Sequence, residues 1–191
     1  MRRLRFRSGP ACWLAGLLLC VPAAPAAGQV LMTQDEALAA AFPSPARVER
    51  RTAYLGESQL ERARSLAGEG VRIEQTVITY YVGYRGDEPL GVAYFDAHRV
   101  RTKAEVVMVV VTPDARISRV DVLKFMEPPD YRAPESWIDQ LEGRPLDDQL
   151  STRGAIHNLT GATITARALT EAARRVLAYH DVIRPLEASG P

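Results

Sequence analysis

The sequence predicts an α+β fold, a single domain in which an antiparallel-rich sheet is flanked by helices. Two observations carry this prediction. Residues 71–81 alternate apolar and polar side chains, and residues 104–125 hold two further strand-like runs joined by a short turn. Helical patterns stand before and after these strands, which is the order typical of α+β domains.

The first elements are two helices. Thr33 and Glu36 have the spacing of a capping box, which predicts a short helix that runs through Phe42. Residues 57–67 place Leu and Ala at helical spacing, and Gly68 ends this second helix.

The sheet follows the second helix. The period changes at Val71, and residues 71–81 are predicted to form a long strand, followed by a turn-rich connection over 83–89. Three further strands are predicted over residues 90–95, 104–112 and 117–125. Residues 106–111 are apolar on both faces, which indicates a central strand that is covered on both sides.

The last elements are helical. A short helix is predicted over residues 135–141 and ends at Gly143, and residues 145–156 have the composition of irregular surface chain. The longest helix is predicted over residues 165–183, where alanine, leucine, valine and tyrosine mark one buried face.

The N-terminus has the pattern of a secretory signal peptide over residues 1–27. Four arginines precede an apolar stretch that runs to Val21, and small residues follow at 24–27 as at a cleavage site. The apolar stretch is shorter than the roughly 20 residues of a membrane span. We therefore expect an exported, periplasmic protein, the alternative being an inner-membrane anchor formed by an uncleaved signal.

Removal of this segment changes the composition. Cys12 and Cys20 both lie within it, so the mature chain would have no thiol for disulfides, iron–sulfur clusters or thiol catalysis. The loss of four arginines takes the formal net charge from +1 to about −3. The remaining basic residues are mixed with acidic ones, and no nucleic-acid partner is expected.

The most informative segment lies just before the long helix. Thr160, Gly161, Ala162, Thr163 and Thr165 place hydroxyl groups and small residues at a predicted helix N-terminus. Such an end presents unpaired backbone N–H groups and the positive pole of the helix dipole, which suit a phosphate. The small neighbours leave the Thr163 hydroxyl accessible to a modifying enzyme.

This segment resembles the flavinylation motif of the FMN-binding domain family, which includes the small flavoprotein subunits of the sodium-translocating NADH:quinone reductase and the Rnf complex. The resemblance implies that FMN is the cofactor and that it is held as a phosphoester on Thr163. It also implies a flavin transferase that uses FAD and acts outside the cytoplasm. The family motif usually has Asp three residues before the first hydroxyl residue, and this chain has His157 there.

The resemblance covers most of the mature chain, although the other segments are less specific than the motif. These segments are residues 100–102 with Glu105, residues 124–128 and residues 137–143. The implied organisation is a signal peptide over 1–27, a helical N-terminal segment over 28–70 and an FMN-binding domain over 71–191.

A flavin ring needs apolar walls and a few polar partners. The candidates for one wall are the large side chains that precede the motif, Phe125, Met126, Tyr131 and Trp137, each of which is also a candidate for ordinary core. Glu127 is a candidate acceptor for a flavin N–H or else a solvated strand end. Arg101 and Lys103 are candidates for the vicinity of the phosphate or for an exposed strand face.

Metal and catalytic sites are not predicted. His98 and His180 lack ligand spacing, so the sequence supports no zinc site, and we identify no catalytic residue. His157 is interpreted as a surface-loop residue rather than a magnesium ligand, because neutral imidazole suits magnesium poorly.

These observations predict an exported electron-transfer protein that carries FMN on Thr163. Its partners would be the flavin transferase and redox donor and acceptor proteins, with a membrane reductase or a cytochrome among the candidates. Two alternatives remain open. One is a flavin-free or non-covalent binding or assembly module, which His157 motivates, and the other is a small flavin-dependent reductase.

Overall fold

A computed structural model describes residues 28–187. Six strands and four α-helices make up this part of the chain, with short 3-10 turns at Pro129–Tyr131 and Asp139–Leu141. The strands are β1 Gln29–Val30, β2 Arg47–Tyr54, β3 Val77–Arg85, β4 Glu88–Arg99, β5 Ala104–Val111 and β6 Ile117–Phe125. The helices are α1 Gln34–Ala41, α2 Glu57–Ala67, α3 Glu135–Ile138 and α4 Thr163–Ile183.

The strands form one sheet in the order β1-β6-β5-β4-β3-β2, and every neighbouring pair is antiparallel. β4 and β5 lie at its centre, and five consecutive residues of β5, 107–111, are buried. The predicted α+β class, the antiparallel sheet and the doubly covered central strand are all confirmed.

Helices cover both faces of the sheet. α2 and α4 pack on one face, where their side chains join those of alternate sheet residues in the main core. α1 covers the other face, where Phe42 packs in a second core cluster with Met108. The Phe42 ring lies so close to Gly83 that a Cβ at Gly83 would be 2.3 Å from it, so this strand position needs glycine.

The close packing of α4 depends on small residues. Ala63 and Ala67 of α2 and Ala172 and Ala173 of α4 are completely buried. Small side chains between two helices allow their backbones to approach closely, which holds α4 against α2.

Several elements lie where the sequence places them. Thr33 and Glu36 form both bonds of the predicted capping box of α1. α2 and β6 have the predicted bounds, Gly143 with φ of 72° follows the short helical segment at 135–141, and α4 begins two residues before the predicted start.

Two predictions about the sheet are wrong. Residues 71–76 are not a strand, because β2 ends opposite Val77 and the chain beyond it leaves to form α2, so no neighbouring strand is available. The turn-rich connection is shorter than 83–89, since β3 continues to Arg85 and β4 begins at Glu88. The prediction for residues 28–70 named helices alone, and the structure adds β1 and β2.

The predicted signal peptide lies outside the described residues. Between residues 28 and 187, no helix is both long enough and apolar enough to cross a membrane.

Candidate functional site

The predicted motif lies at the N-terminus of α4. Thr163 is the first helical residue, and Ala162 occupies the cap position without a side-chain hydrogen bond to the helix. Helices usually satisfy their first N–H groups with a Ser, Thr, Asp or Asn cap. A 21-residue helix with an alanine cap and no acidic residue in its first turn therefore keeps a positive, uncapped end.

The motif residues before the helix are accessible. Thr160, Gly161 and Thr163 are exposed, and the Thr163 hydroxyl donates a long hydrogen bond of 3.3 Å to the carbonyl oxygen of Leu159. Gly161 has φ of 84°, a conformation that favours glycine, and no atom lies within 4 Å of the place where its Cβ would be. The approach to the Thr163 hydroxyl is therefore open.

Thr165 has a different environment from Thr163. Its side chain is 1% exposed, and its hydroxyl donates a hydrogen bond of 2.6 Å to the carbonyl oxygen of Tyr131. This bond joins the first turn of α4 to the 3-10 turn at Pro129–Tyr131.

The chain that leads into the motif is held by the α3 region. The Trp137 indole N–H donates to the carbonyl oxygen of His157 at 2.7 Å, and the backbone N–H of His157 donates to Oε1 of Gln140 at 2.8 Å. The ring of Trp137 is buried in the main core. Trp137 thus positions the motif through His157, and its predicted contact with the flavin stays a prediction.

Glu127 holds the loop between β4 and β5. Its Oε1 atom accepts hydrogen bonds from the backbone N–H groups of Thr102 and Lys103, at 2.7 and 2.9 Å, and from the Thr102 hydroxyl. The backbone bonds from Thr102 and Lys103 hold the pKa of Glu127 below its usual range. All these contacts use one oxygen, and the predicted contact between Glu127 and a flavin N–H also stays a prediction.

The large side chains predicted as a wall separate into two places. Phe125 is buried beside Val100 and Ala168, and Tyr131 packs at the edge of this small cluster. The Arg101 guanidinium lies 5.5 Å from the centre of the Tyr131 ring. Met126 is half-buried, and its backbone N–H donates to the carbonyl oxygen of Ala104. Phe125, Tyr131 and Arg101 are therefore near the start of α4, whereas Trp137 belongs to the main core.

A chain of buried ionisable groups lies on the sheet face that α4 covers. Arg175 donates two hydrogen bonds to Asp96, at 2.7 and 3.0 Å. His98 bonds through Nδ1 to Asp96 and through Nε2 to Glu105, each at 2.9 Å. We call these four residues the buried network.

The network favours a protonated His98. Burial alone would lower the pKa of His98, but the hydrogen bonds and charges of Asp96 and Glu105 outweigh it and raise this pKa to about 9. With both ring nitrogens protonated, His98 donates to both carboxylates. Burial raises the pKa of Glu105, while for Asp96 the bonds to His98 and Arg175 overcome burial and lower the pKa.

Sequence reasoning missed this network. Asp96 and His98 are two residues apart on β4, Glu105 is on β5 and Arg175 is on α4, so only the register and the docking of α4 bring them together. One signal was available: on the inward face of β4, Val92 and Tyr94 are followed by Asp96 and His98, polar residues at positions where the alternation requires burial.

A groove of about 460 Å³ runs beside α4 above the network. Its lining includes Arg72, His98, Arg101, Ala168, Glu171 and Arg175. A larger depression of about 860 Å³ lies against β6 and α3. Neither lining includes a residue of the motif, and the groove comes nearest to it at Ala168. Within residues 28–187, no group of three His, Cys, Asp or Glu side chains could hold a metal ion.

This arrangement defines a class of protein. An exposed threonine at an uncapped helix N-terminus, with an open motif in front of it, fits a phosphate-bearing cofactor, and the match to a known family identifies that cofactor. Residues 103–178 match the family model for the FMN-binding domain, so the protein is an FMN-binding flavoprotein. The chain carries a domain of the FMN-binding domain family, and FMN is its cofactor.

The matched segment begins in the loop before β5 and ends within α4, so it contains the motif, Glu105, Glu127 and Trp137. No curated protein matches the chain.

Proposed function

We propose that this protein is an exported electron carrier whose FMN is attached as a phosphoester to Thr163. The observation that carries the proposal is the exposed Thr163 hydroxyl at the uncapped N-terminus of α4, within the matched domain. The predicted signal peptide over residues 1–27 supports export.

The residues of the motif have separate tasks in this proposal. Thr163 Oγ loses its proton and forms the bond to the FMN phosphorus, while the pyrophosphate bond of FAD breaks and AMP leaves. The N–H groups of the first turn of α4 would hold the phosphate, because the positive end of the helix dipole favours its negative charge. Gly161 and Ala162 keep the approach free of large side chains.

The cofactor, when bound, supplies reversible electron transfer. The protein holds the attachment site in place. The hydrogen bonds of Thr165 to Tyr131 and of Trp137 to His157 fix the start of α4, and the core fixes the rest of the helix. Covalent attachment suits an exported carrier, because a dissociated cofactor would be lost from the compartment. Redox donor and acceptor proteins are the remaining partners.

The test is the intact mass of protein produced together with an active flavin transferase. Wild type and Thr163→Ser should gain the mass of one FMN phosphoester, because serine keeps the hydroxyl group. Thr163→Ala should gain none. Flavin on Thr163→Ala, or its absence from all three proteins, would overturn attachment at this residue.

Electron transfer needs its own measurement. The loaded wild type, reduced chemically, should be reoxidised by a protein acceptor such as a c-type cytochrome, and it should not oxidise NADH by itself. Sustained NADH turnover by the isolated protein would instead support the flavin-dependent reductase.

His157 motivates the second candidate, a module with non-covalent FMN or none. The residue is exposed, and its backbone is held by Trp137 and Gln140 at both polar groups. His157→Asp should therefore fold like the wild type. If only this variant gains covalent flavin, the natural chain belongs to the second candidate.

A further inference from the structure

Glu105 is the inner end of the buried network. In the sheet it lies opposite His98 on one side and Phe125 on the other. Directly paired residues on neighbouring strands project to the same face, and α4 covers this face. Glu105 is completely buried, and its Oε1 atom has no hydrogen-bond partner among the residues that the structure describes. Such an atom is uncommon in a folded protein and calls for a physical explanation.

The network has room for one more proton. When Arg175 and His98 are positive and Asp96 and Glu105 are negative, the four charges cancel. A further proton can bind at Oε1 of Glu105 without breaking a described hydrogen bond, because Oε2 still accepts from His98. The other three members offer no equivalent position, since the described bonds already occupy both nitrogens of His98 and both oxygens of Asp96.

The proton position lies under the beginning of α4. Phe125, the neighbour of Glu105 on β6, packs against Ala168. Ala168 is five residues after Thr163, which is about 7.5 Å along a helix axis. The groove beside α4 begins at Ala168, in the second turn of the helix, and extends to His98 and Arg175 of the network. The attachment point at Thr163 is therefore on the order of 10 Å from the Glu105 end of the network.

The charged groups that face Glu105 come from β4 and α4. β4 contributes Asp96 and His98, which act on Glu105 directly. α4 contributes Arg175, which bonds to Asp96, with Glu171 and Tyr179 further along the groove. β6 contributes the apolar Phe125. Arg72 and Arg101 lie at the groove wall. A negative charge added about 10 Å away in such surroundings should strengthen proton binding by Glu105 roughly tenfold.

We propose that the Glu105 carboxyl group binds one proton when the attached FMN is reduced and releases it when the FMN is reoxidised. The inference rests on the attachment of FMN at Thr163. A donor protein supplies two electrons to the flavin, which takes up one proton from water and thereby gains one net negative charge. One additional proton is taken up from solvent and held at Oε1 of Glu105. Reoxidation passes both electrons to the acceptor and releases both protons, that of the flavin and that of Glu105, to solvent.

The test compares the midpoint potential of flavin-loaded wild type and Glu105→Gln from pH 5 to pH 9, with dithionite as the reductant. Over part of this range, the slope of the wild-type midpoint potential against pH should be steeper by about 30 mV per pH unit, the value for one additional proton per two electrons. Glu105→Gln should lack this additional slope. Glu88→Gln is the control, because Glu88 is exposed at the other end of β4. It should behave as the wild type.

Two further measurements separate proton binding from a structural role. An indicator dye in weak buffer should show that wild type takes up more protons per two electrons than free FMN at the same pH. In flavin-free Thr163→Ala, Glu105→Gln should lower the pKa of His98, as followed by NMR of the imidazole.

The outcomes distinguish the two proposals. If the mass shows attached FMN but wild type and Glu105→Gln have the same slope, the inference fails and the proposed function stands. If no FMN is attached, both fail. If Glu105→Gln does not fold, the dye measurement on wild type decides, and proton uptake equal to that of free FMN would overturn the inference.

Discussion

The two threonines at the start of α4 have opposite surroundings. Thr163 is exposed, with one long hydrogen bond, whereas Thr165 is buried, with a short bond to the carbonyl oxygen of Tyr131. Residue type alone does not distinguish them. The exposed Thr163 is the proposed attachment site, whereas the buried Thr165 is expected to stabilise the fold.

Thr165→Val should lower the free energy of unfolding by about 1–2 kcal/mol, since it removes the hydrogen bond to Tyr131 and leaves that carbonyl oxygen without this donor. Thr165→Ser should restore most of the loss. Thr163→Val is the matched control in flavin-free protein and should cost less than about 0.5 kcal/mol, as exposed positions usually do. Urea unfolding measures all three, and equal losses at both positions would contradict the assignment.

Glu127 is expected to act through the loop that it holds. Glu127→Gln should lower the free energy of unfolding by about 1–3 kcal/mol at neutral pH, because a neutral amide oxygen accepts the N–H groups of Thr102 and Lys103 less strongly. Since the pKa of Glu127 is lowered in the folded protein, this stability is present above the unfolded value of about 4.5 and is lost as the pH falls through the folded pKa.

Urea unfolding at pH 7 and at pH 3 checks the prediction for Glu127. The difference between wild type and Glu127→Gln should narrow at pH 3, where the carboxylate takes up its proton. Glu69→Gln is the control, because Glu69 is exposed, and it should match the wild type at both values. A difference that does not change with pH would mean that the charge of Glu127 is not what stabilises the loop.

At the scale of elements, Arg174 connects three parts of the chain. It donates hydrogen bonds to the carbonyl oxygens of Ala67 at the end of α2 and of Asp147 and Leu150 in the loop before the motif. A cation at this place also suits the negative pole of α2. α4 thereby holds both its partner helix and the segment that leads to its own N-terminus.

Arg174→Met should cost about 2–3 kcal/mol, because methionine keeps the apolar stem but leaves these carbonyl oxygens without their charged donor. Arg167→Met is the matched control on the same helix. Arg167 pairs with Glu171 at the surface, and its loss should cost about 0.5 kcal/mol or less. Thermal and urea unfolding measure both, and equal costs would show that the contacts of Arg174 are not stabilising.

The elements also show what the sequence could predict. α2 and β6 were predicted with correct bounds because their apolar positions follow one period and glycine or proline residues mark their surroundings. β2 was missed because half of its residues are charged, as in Arg47, Glu49 and Arg50, and this composition resembles surface chain. β2 is an edge strand, where charged side chains are common.

From the sequence, only the part of the site whose residues are contiguous along the chain could be predicted. The motif from Thr160 to Thr165 is contiguous, so its place at a helix start followed from the pattern. The buried network depends on contacts between β4, β5 and α4, whose residues are up to 79 positions apart. An alternating pattern also did not predict pairing, since residues 71–76 alternate but have no neighbouring strand.

At the scale of the whole molecule, two buried histidines make stability depend on pH with opposite sign. The folded pKa of His98 is about 9, above the unfolded 6.5, so its contribution is complete below pH 6.5 and is lost as the pH rises through 9. Burial lowers the pKa of His180, which bonds to the Tyr94 hydroxyl, to about 4. Its contribution is complete above pH 6.5 and is lost as the pH falls through 4.

We therefore expect the wild type to be most stable near pH 6.5 as far as these two groups are concerned. The free energy of unfolding should fall by about 3 kcal/mol on the alkaline side, through His98, and by about 3 kcal/mol on the acidic side, through His180, at 1.36 kcal/mol per pKa unit. We call these two declines the alkaline limb and the acidic limb. His98→Gln should flatten the alkaline limb alone, and His180→Asn, whose amide can still bond to Tyr94, should flatten the acidic limb alone. Urea unfolding at pH 5, 6.5 and 9 checks this, and a wild type equally stable at pH 6.5 and 9 would contradict the assignment for His98.

The docking of α4 has a consequence for the order of events in the life of the protein. The helix that begins at Thr163 is held by core residues from α2 and from the sheet, which are far away along the chain. The exposed hydroxyl and the left-handed Gly161 in front of it form one defined shape once that core is assembled. A chain threaded through a secretion channel in an extended state cannot present this shape. If the protein is exported and carries FMN on Thr163 as proposed, attachment of the cofactor is therefore expected to be the last step of maturation, and only correctly folded chains would receive the flavin.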